Sequence, residues 1–251
     1  MRTLLKTLGL VLVVVAIAAG TTLMLRKLDQ PARSDDAIRT YLLQNPEVVL
    51  DALRAYQERE QRQAQMDRRR AIKANRNELA ADGDTPYAGS REPDVTIVEF
   101  FDYTCPYCRQ AHPIVGELLN DDPKIRVALK EYPILSERAV LASRFALAVH
   151  RIAPDRYLAF HDALYSTRGA LDEATIFRLA GETGIDLERL GRVAQSDEIG
   201  SQLQRTARLA QAVGVDGTPA FIIGDEFVPG SVDLATLKRL VRQARERCDT
   251  C

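Results

Sequence analysis

The sequence predicts an α/β fold: a sheet with helices on both faces and an all-α insertion, preceded by a helical N-terminal segment and an apolar signal or membrane segment. Three observations carry this. Val95–Phe101 is an apolar, β-branched and aromatic run of strand length, followed by helical spacing from Cys105 and a second such run at 125–130. The pattern from 136 to about 204 is wholly helical. Ala220–Ile223 and residues 226–228 then flank the turn dipeptide Gly224-Asp225, which reads as a hairpin. A chain of 251 residues supports one full core and a smaller appendage. Its net charge of −1 gives no field that would attract nucleic acid or an acidic substrate.

The N-terminus comes first in the chain. Arg2 and Lys6 precede an uncharged stretch over 7–25 with a continuous apolar centre at 8–19. Residues 1–27 therefore read as a signal peptide or a signal-anchor helix, and either implies export. Ala16, Ala18 and the small residues after them suit a signal peptidase. The apolar run nevertheless continues through Leu25, long enough to span a hydrocarbon core. Arg26 and Lys27 on its far side fit the usual charge bias poorly.

Residues 34–80 form a helical leader and a candidate oligomerisation segment. Ile38, Leu42, Val49, Leu53 and Tyr56 recur at multiples of three to four residues, and Asn45-Pro46 starts a second helix. The stretch from 59 to 76 is too polar to build a core alone, so the apolar stripe must pack elsewhere or on another copy. Its basic run is either a solvated helix face or an attraction to anionic headgroups. Residues 82–86 read as a break, and the main domain spans 91–251, with its helical insertion at about 136–204. In that insertion helices are expected over 139–152, 155–166, 172–182 and 186–195, with a last one running toward Val213.

The four cysteines form two Cys-x-x-Cys pairs, Cys105/Cys108 and Cys248/Cys251. Two cysteines three positions apart face one another across one helical turn and close a disulfide with little movement. Cys105 stands at a helix entrance with Pro106 at the first helical position, where free N–H groups and the helix dipole favour a thiolate. Cys105 is thus the expected nucleophile and Cys108, one turn in, the resolving thiol. The competing reading is half a zinc site with His112, which lacks a second ligand set within the domain.

Residues 98–108, Val-Glu-Phe-Phe-Asp-Tyr-Thr-Cys-Pro-Tyr-Cys, resemble the active-site strand and helix of DsbA-family thioredoxin-fold proteins. Lys130-Glu131-Tyr132-Pro133 resembles that family's second strand, and Gly217-Thr218-Pro219-Ala220 its cis-proline loop. The likeness covers 94–247 in order and implies a thioredoxin fold and thiol:disulfide oxidoreductase or isomerase activity without a cofactor. It further implies that Pro219 is cis and that the Thr218 backbone pairs with substrate as an added strand, with Pro106 and Tyr107 also facing substrate. Without the likeness, Pro219 is an ordinary trans proline opening a strand. Glu99, in an apolar strand, is expected to have a raised pKa and to relay a proton for the buried thiol, with Lys130 as its charge partner; the alternative is a plain ion pair. Tyr107 stands where the most oxidising relatives have His, so a weaker oxidant is expected. Residues 38–48 resemble the helical leader of ScsC-like and Com1-like members, several of which oligomerise through it.

The C-terminal pair Cys248/Cys251 has three open readings: an accessory disulfide, a redox relay to Cys105, or a soft-metal site such as one for Cu(I). His112, His150 and His161 read as packing or surface residues. The expected partners are unfolded or mis-disulfided exported proteins and a membrane redox partner that resets the pair, in the periplasm. The alternative is a copper-handling or chaperone-like binding module that uses its cysteines as ligands.

Overall fold

The structure is a computed structural model; it describes residues 32–247 together with Val15, Ile17, Gly20 and Thr21. The apolar segment 7–25 and the Cys248/Cys251 pair thus lie almost wholly outside the described residues. Among the described residues no helix is long and apolar enough to cross a membrane. The chain divides into two compact units at Gln63/Ala64.

In the first unit, α1 (Ala32–Gln44) and the start of α2 (Pro46–Ala74) meet at Asn45, with Pro46 opening α2 where its missing N–H costs nothing. None of its residues from 35 to 63 is buried. Ile38, Tyr41, Leu43, Leu50, Leu53 and Tyr56 are all more than half exposed. The stripe read from the sequence exists, and among the described residues of this unit nothing covers it.

The second unit holds a five-stranded sheet in the order β1-β3-β2-β4-β5. Its strands are β1 (Tyr87–Gly89), β2 (Val95–Phe101), β3 (Ile125–Glu131), β4 (Ala220–Ile223) and β5 (Glu226–Pro229). β2 and β3 run parallel through a crossover on α4 (Pro106–Asp121); the other three pairings are antiparallel. The edge strand β1 was not anticipated, being only three residues long. Between β3 and β4 stand α5 (Glu137–Ile152), a 3₁₀ turn, α6 (Tyr157–Ser166), α7 (Glu173–Glu182), α8 (Leu187–Ala194) and α9 (Asp197–Ala212). Side-chain caps start three of them: Ser136, Asp172 and Asp186 accept from the backbone N–H three residues on. Gly184, at φ +73°, takes the left-handed turn after α7. α10 (Leu234–Arg247) closes the described chain.

β2 is buried at every position, so the sheet has a core on each face. One face carries Ile97 and Phe101 against α4, α10 and the helical insertion. The other carries Val98 and Phe100 against the end of α9, with Ile72 of α2 and Leu79 of α3 (Arg76–Ala80). The second core therefore recruits residues upstream of the expected start at 91. It also holds Lys130, only 2% exposed, whose ammonium donates to the Glu78 carbonyl (2.7 Å), Asp82 Oδ2 (2.6 Å) and Thr85 Oγ1 (2.7 Å). Burial pulls its pKa down while Asp82 pulls it back up. All three N–H groups are used, so the ammonium fastens 78–85 to the back of the sheet.

An unpaired buried charge costs more than the pair returns. Asp82→Ala should destabilise the full chain by about 2–3 kcal/mol and Lys130→Met by less, because the latter removes the charge with the cavity still filled. Urea midpoints at unchanged m-value check the order.

Candidate functional site

β2 ends at the sheet edge where α4 begins, and a single carboxylate shapes the turn between them. Asp102, fully buried, accepts from the backbone N–H and the hydroxyl of Thr104 through Oδ1, both at 2.7 Å. Its Oδ2 accepts from the N–H groups of Ile134 (2.9 Å) and Leu135 (3.0 Å). The Thr104 proton being spent on Asp102, the Ser136 hydroxyl donates to Thr104 Oγ1 at 3.2 Å. The turn before Cys105 is thereby tied to the loop after β3.

Cys105 caps α4 with extended backbone angles, and Pro106 occupies the first helical position. Both thiols are free and buried, Cys105 at 3% exposure and Cys108 at 0%. The Thr218–Pro219 bond is cis, and the Cys105 thiol donates to the Thr218 carbonyl at 3.2 Å. The motifs at 105–108 and 217–220, more than a hundred residues apart in sequence, are thus in contact. Pro106 is exposed and Tyr107 is 60% exposed beside them, with Ile134 and Leu135 also open to solvent.

Glu99 is 5% exposed, and its carboxyl makes no hydrogen bond or ion pair among the described residues. Burial pushes its pKa up to about 8. Cys108 is also raised, by burial and then by the nearby charges of Cys105 and Glu99, against hydrogen bonds from the Asp102 backbone and the Thr218 side chain. The expected pairing of Glu99 with Lys130 is corrected by the register. Glu99 stands opposite Leu129 and Phe100 opposite Lys130. Successive residues of a strand alternate faces, so the two charges lie on opposite sides of the sheet. Lys130 is spent on Asp82.

The carboxylate that shares the Glu99 face is Glu131. It accepts from Tyr103 Oη (3.0 Å) and Tyr157 Oη (3.1 Å) on one oxygen and from Ser143 Oγ (2.7 Å) on the other. Burial outweighs these donors and holds it at about 8. Tyr103 Oη also meets His161 Nδ1 at 2.8 Å. His161 is buried and pushed down to about 3 by that burial and by the neighbouring His112, so its ring is neutral. It donates from Nδ1 to Tyr103 when Tyr103 donates to Glu131. His161 is accordingly part of a polar network, not the plain packing residue its helical spacing suggested. His112 Nε2 pairs with Asp162 at 3.0 Å and its ring stacks on Tyr165 at 4.6 Å, so it is turned to α6. Among the described residues no three His, Cys, Asp or Glu side chains gather as metal ligands. The only sequence signal for Glu131 was its place beside Lys130. Tyr103, Tyr157 and Ser143 carried none.

A carboxyl near pKa 8 in the fold and near 4.5 in the unfolded chain binds its proton more tightly when folded. The unfolded state then holds fewer protons between those values, so this group's contribution to stability falls as pH rises through the window. Glu99→Gln removes the effect. Its stability relative to wild type should grow by up to about 1.4 kcal/mol per pH unit between pH 5 and 8. Urea titrations of both proteins across that range measure the difference.

The comparisons with known proteins agree with this geometry. Residues 96–242 match the DSBA-like thioredoxin domain, and residues 35–63 match the copper resistance protein ScsC N-terminal domain. The thiol:disulfide interchange protein DsbA of Bordetella parapertussis is 30% identical over 141 residues, covering 55% of this chain and 67% of that protein. A thioredoxin-like oxidoreductase from Silicibacter pomeroyi is 41% identical at a TM-score of 0.66, covering 69% of this chain and 99% of its own. A periplasmic thioredoxin-like protein from Salmonella enterica serovar Typhimurium is 33% identical at a TM-score of 0.63, covering 68% of this chain and 95% of its own. With a thioredoxin-like sheet interrupted by a helical insertion and a thiol pair at the entrance of its first crossover helix, the chain belongs to the DsbA-like thioredoxin family, as a ScsC-like thiol:disulfide oxidoreductase.

Proposed function

We propose that the chain exchanges disulfides with exported protein substrates outside the cytoplasm, with Cys105 as nucleophile and Cys108 as resolving thiol. The observation that carries this is the Cys105 thiol seated against the Thr218 carbonyl of the cis-proline loop, with Cys108 enclosed one turn behind it. When the protein acts on a substrate disulfide, the Cys105 thiolate attacks one sulfur, and the other leaves as the substrate thiolate. In molecules whose Glu99 has ionised, a minority below its raised pKa of about 8, Cys108 then gives its proton to that carboxylate and attacks Cys105. The Cys105–Cys108 bond forms, the mixed disulfide breaks, and the second substrate thiolate leaves. Run backwards, the same steps donate a disulfide. Displacement of the Cys105 thiol frees the Thr218 carbonyl to accept from the substrate backbone, as strand addition requires. Pro106, Tyr107 and the apolar Ile134 and Leu135 border that track.

The raised Cys108 suits a thiol that stays protonated until it resolves, and buried Glu99 is the base within its enclosure. Lys130 enters only as the anchor of 78–85. The charged N-terminus followed by an apolar run and the periplasmic Salmonella relative support an extracytoplasmic site. A membrane redox partner would reset the pair. The exposed apolar stripe from Ile38 to Tyr56 supports assembly with further copies of this chain, because several large apolar side chains in a unit with no buried residue from 35 to 63 need cover. With Tyr107 in the active tetrapeptide, an assembly of several thiol sites favours isomerisation. A second reading, copper handling, rests on the match of 35–63 to the N-terminal domain of a copper resistance protein.

Cys105→Ser should abolish insulin reduction and refolding of scrambled ribonuclease, whereas Cys108→Ser should accumulate mixed disulfides with substrate. Cu(I) binding with no exchange by the wild type would instead select the copper reading. Separately, the chain without residues 1–27 should sediment as an oligomer, and charged residues at Leu50 and Leu53 should dissociate it. A monomeric mass for the unaltered protein would sink the assembly.

A further inference from the structure

Three residues before Cys105 stands a carboxylate with no solvent exposure and four donors. Thr104 gives Asp102 Oδ1 its N–H and its hydroxyl, both at 2.7 Å, and Ile134 and Leu135 give Oδ2 their N–H groups at 2.9 and 3.0 Å. The Asp102 carbonyl accepts from the Cys105 N–H at 3.1 Å. One residue thus holds both the backbone that carries the thiol and the backbone of the loop after β3. A second tie runs beside it: the Ala139 N–H donates to Ser136 Oγ, and the Ser136 hydroxyl meets Thr104 Oγ1 at 3.2 Å. The residue before Cys105 is therefore in contact with the residue after Leu135.

What the tied loop presents is apolar. Residues 132–136 carry no charge. Ile134 is 41% exposed and Leu135 54%, with Val140 of the first turn of α5 at 38%. Large apolar side chains kept in water by a backbone with its bonds made mark a surface that another molecule covers. A substrate chain paired with the Thr218 carbonyl passes Cys105 as an added strand, and strand addition selects its partners through the alternate side chains. The loop stands beside that strand's path because Thr104 and Ser136 touch.

We propose that Asp102 is a positioning residue for protein substrates: it sets the Ile134–Leu135 lip at a fixed offset from Cys105, and the lip takes an apolar side chain flanking the substrate cysteine. The inference rests on the Cys105 chemistry proposed above and adds to it a substrate class, unfolded chains with apolar residues beside their cysteines. A thiolate attacks a disulfide in line with the bond it breaks. An anchored neighbouring side chain speeds that attack only while anchor and nucleophile keep one spacing. The Asp102 carboxylate acts through the two backbones it holds and takes no part in the exchange of bonds. An amide in its place offers one acceptor oxygen instead of two, so it holds the turn or the loop but not both.

The test uses two short peptides, each closed by one disulfide, with leucine beside the cysteines of one and serine beside those of the other. The reduced wild-type chain should reduce the leucine peptide about tenfold faster, the scale of one well-seated apolar side chain. Ile134→Ser with Leu135→Ser should bring that preference close to one, and Asp102→Asn alone should lower it in the same direction. With the lip already removed, Asp102→Asn should not change the ratio further, because coupled residues are not additive. A ratio of two rates does not depend on how much of a variant is folded, so a residue that merely supports the fold leaves it unmoved. Equal rates for the two peptides in the wild type would overturn the proposal, as would an undiminished preference in Asp102→Asn. A wild type that reduces neither peptide sinks the thiol-exchange reading itself.

Discussion

Everything at this site depends on strand β2 being buried on both faces. A strand in that position has no solvent side, so each polar residue in it must find a partner or exist in its neutral form. Alternation then decides which of the two happens. Glu99 points to the face with α4 and the insertion and finds no cation; it takes up a proton. Lys130, one position out of register on β3, points to the other face, where Glu78, Asp82 and Thr85 satisfy all of its donors. A parallel register shifted by one residue would neutralise both charges against each other and leave the thiol pair with no titratable neighbour. The separation of the two is what leaves a buried titratable carboxyl on the sheet face that α4 and Cys108 cover.

The same logic explains why the helical insertion is more than a cover. Two of its helices deliver hydroxyls and an imidazole into the sheet face: Tyr157, His161 and Tyr165 from α6, and Ser143 from α5. Glu131 collects three of these groups, directly or through Tyr103, into a closed network. Satisfied networks of this kind fix one arrangement of a core. The insertion is thus tied to β3 by hydrogen bonds and to α4 by Arg109, one residue from Cys108.

Much of this was legible in the sequence and some could not have been. Cys105, Cys108 and the cis-proline loop announce themselves, because short motifs carry their own backbone chemistry: a proline at a helix start, a proline at a strand start. The run at 95–101 reads as a strand because β-branched and aromatic residues dominate it. Register does not read this way. Glu99 and Lys130 are each the charged residue of an apolar strand, and pairing them is the natural guess until the one-residue offset is seen. β1 is too short to carry a pattern, and its pairing depends on β3. His161 sits at an ordinary core spacing of an amphipathic helix, which conceals that its Nδ1 meets Tyr103 in a buried polar network. Ile72 lies in a stretch read as too polar to build a core alone, and Leu79 just beyond it; the second sheet face is what buries them.

The stability cost of the site can be located. Glu99 without a partner and Cys108 raised by burial both disfavour the resting fold, and both lie on the sheet face that α4 covers. Strain of that kind persists only where the surroundings over-determine it. Here they do. Asp102 ties the turn to the loop after β3, Glu131 ties the insertion to the sheet, and Lys130 ties the upstream segment to its back. Two carboxylates and one ammonium with their bonds made thus hold in place the sheet face on which Glu99 has none among the described residues.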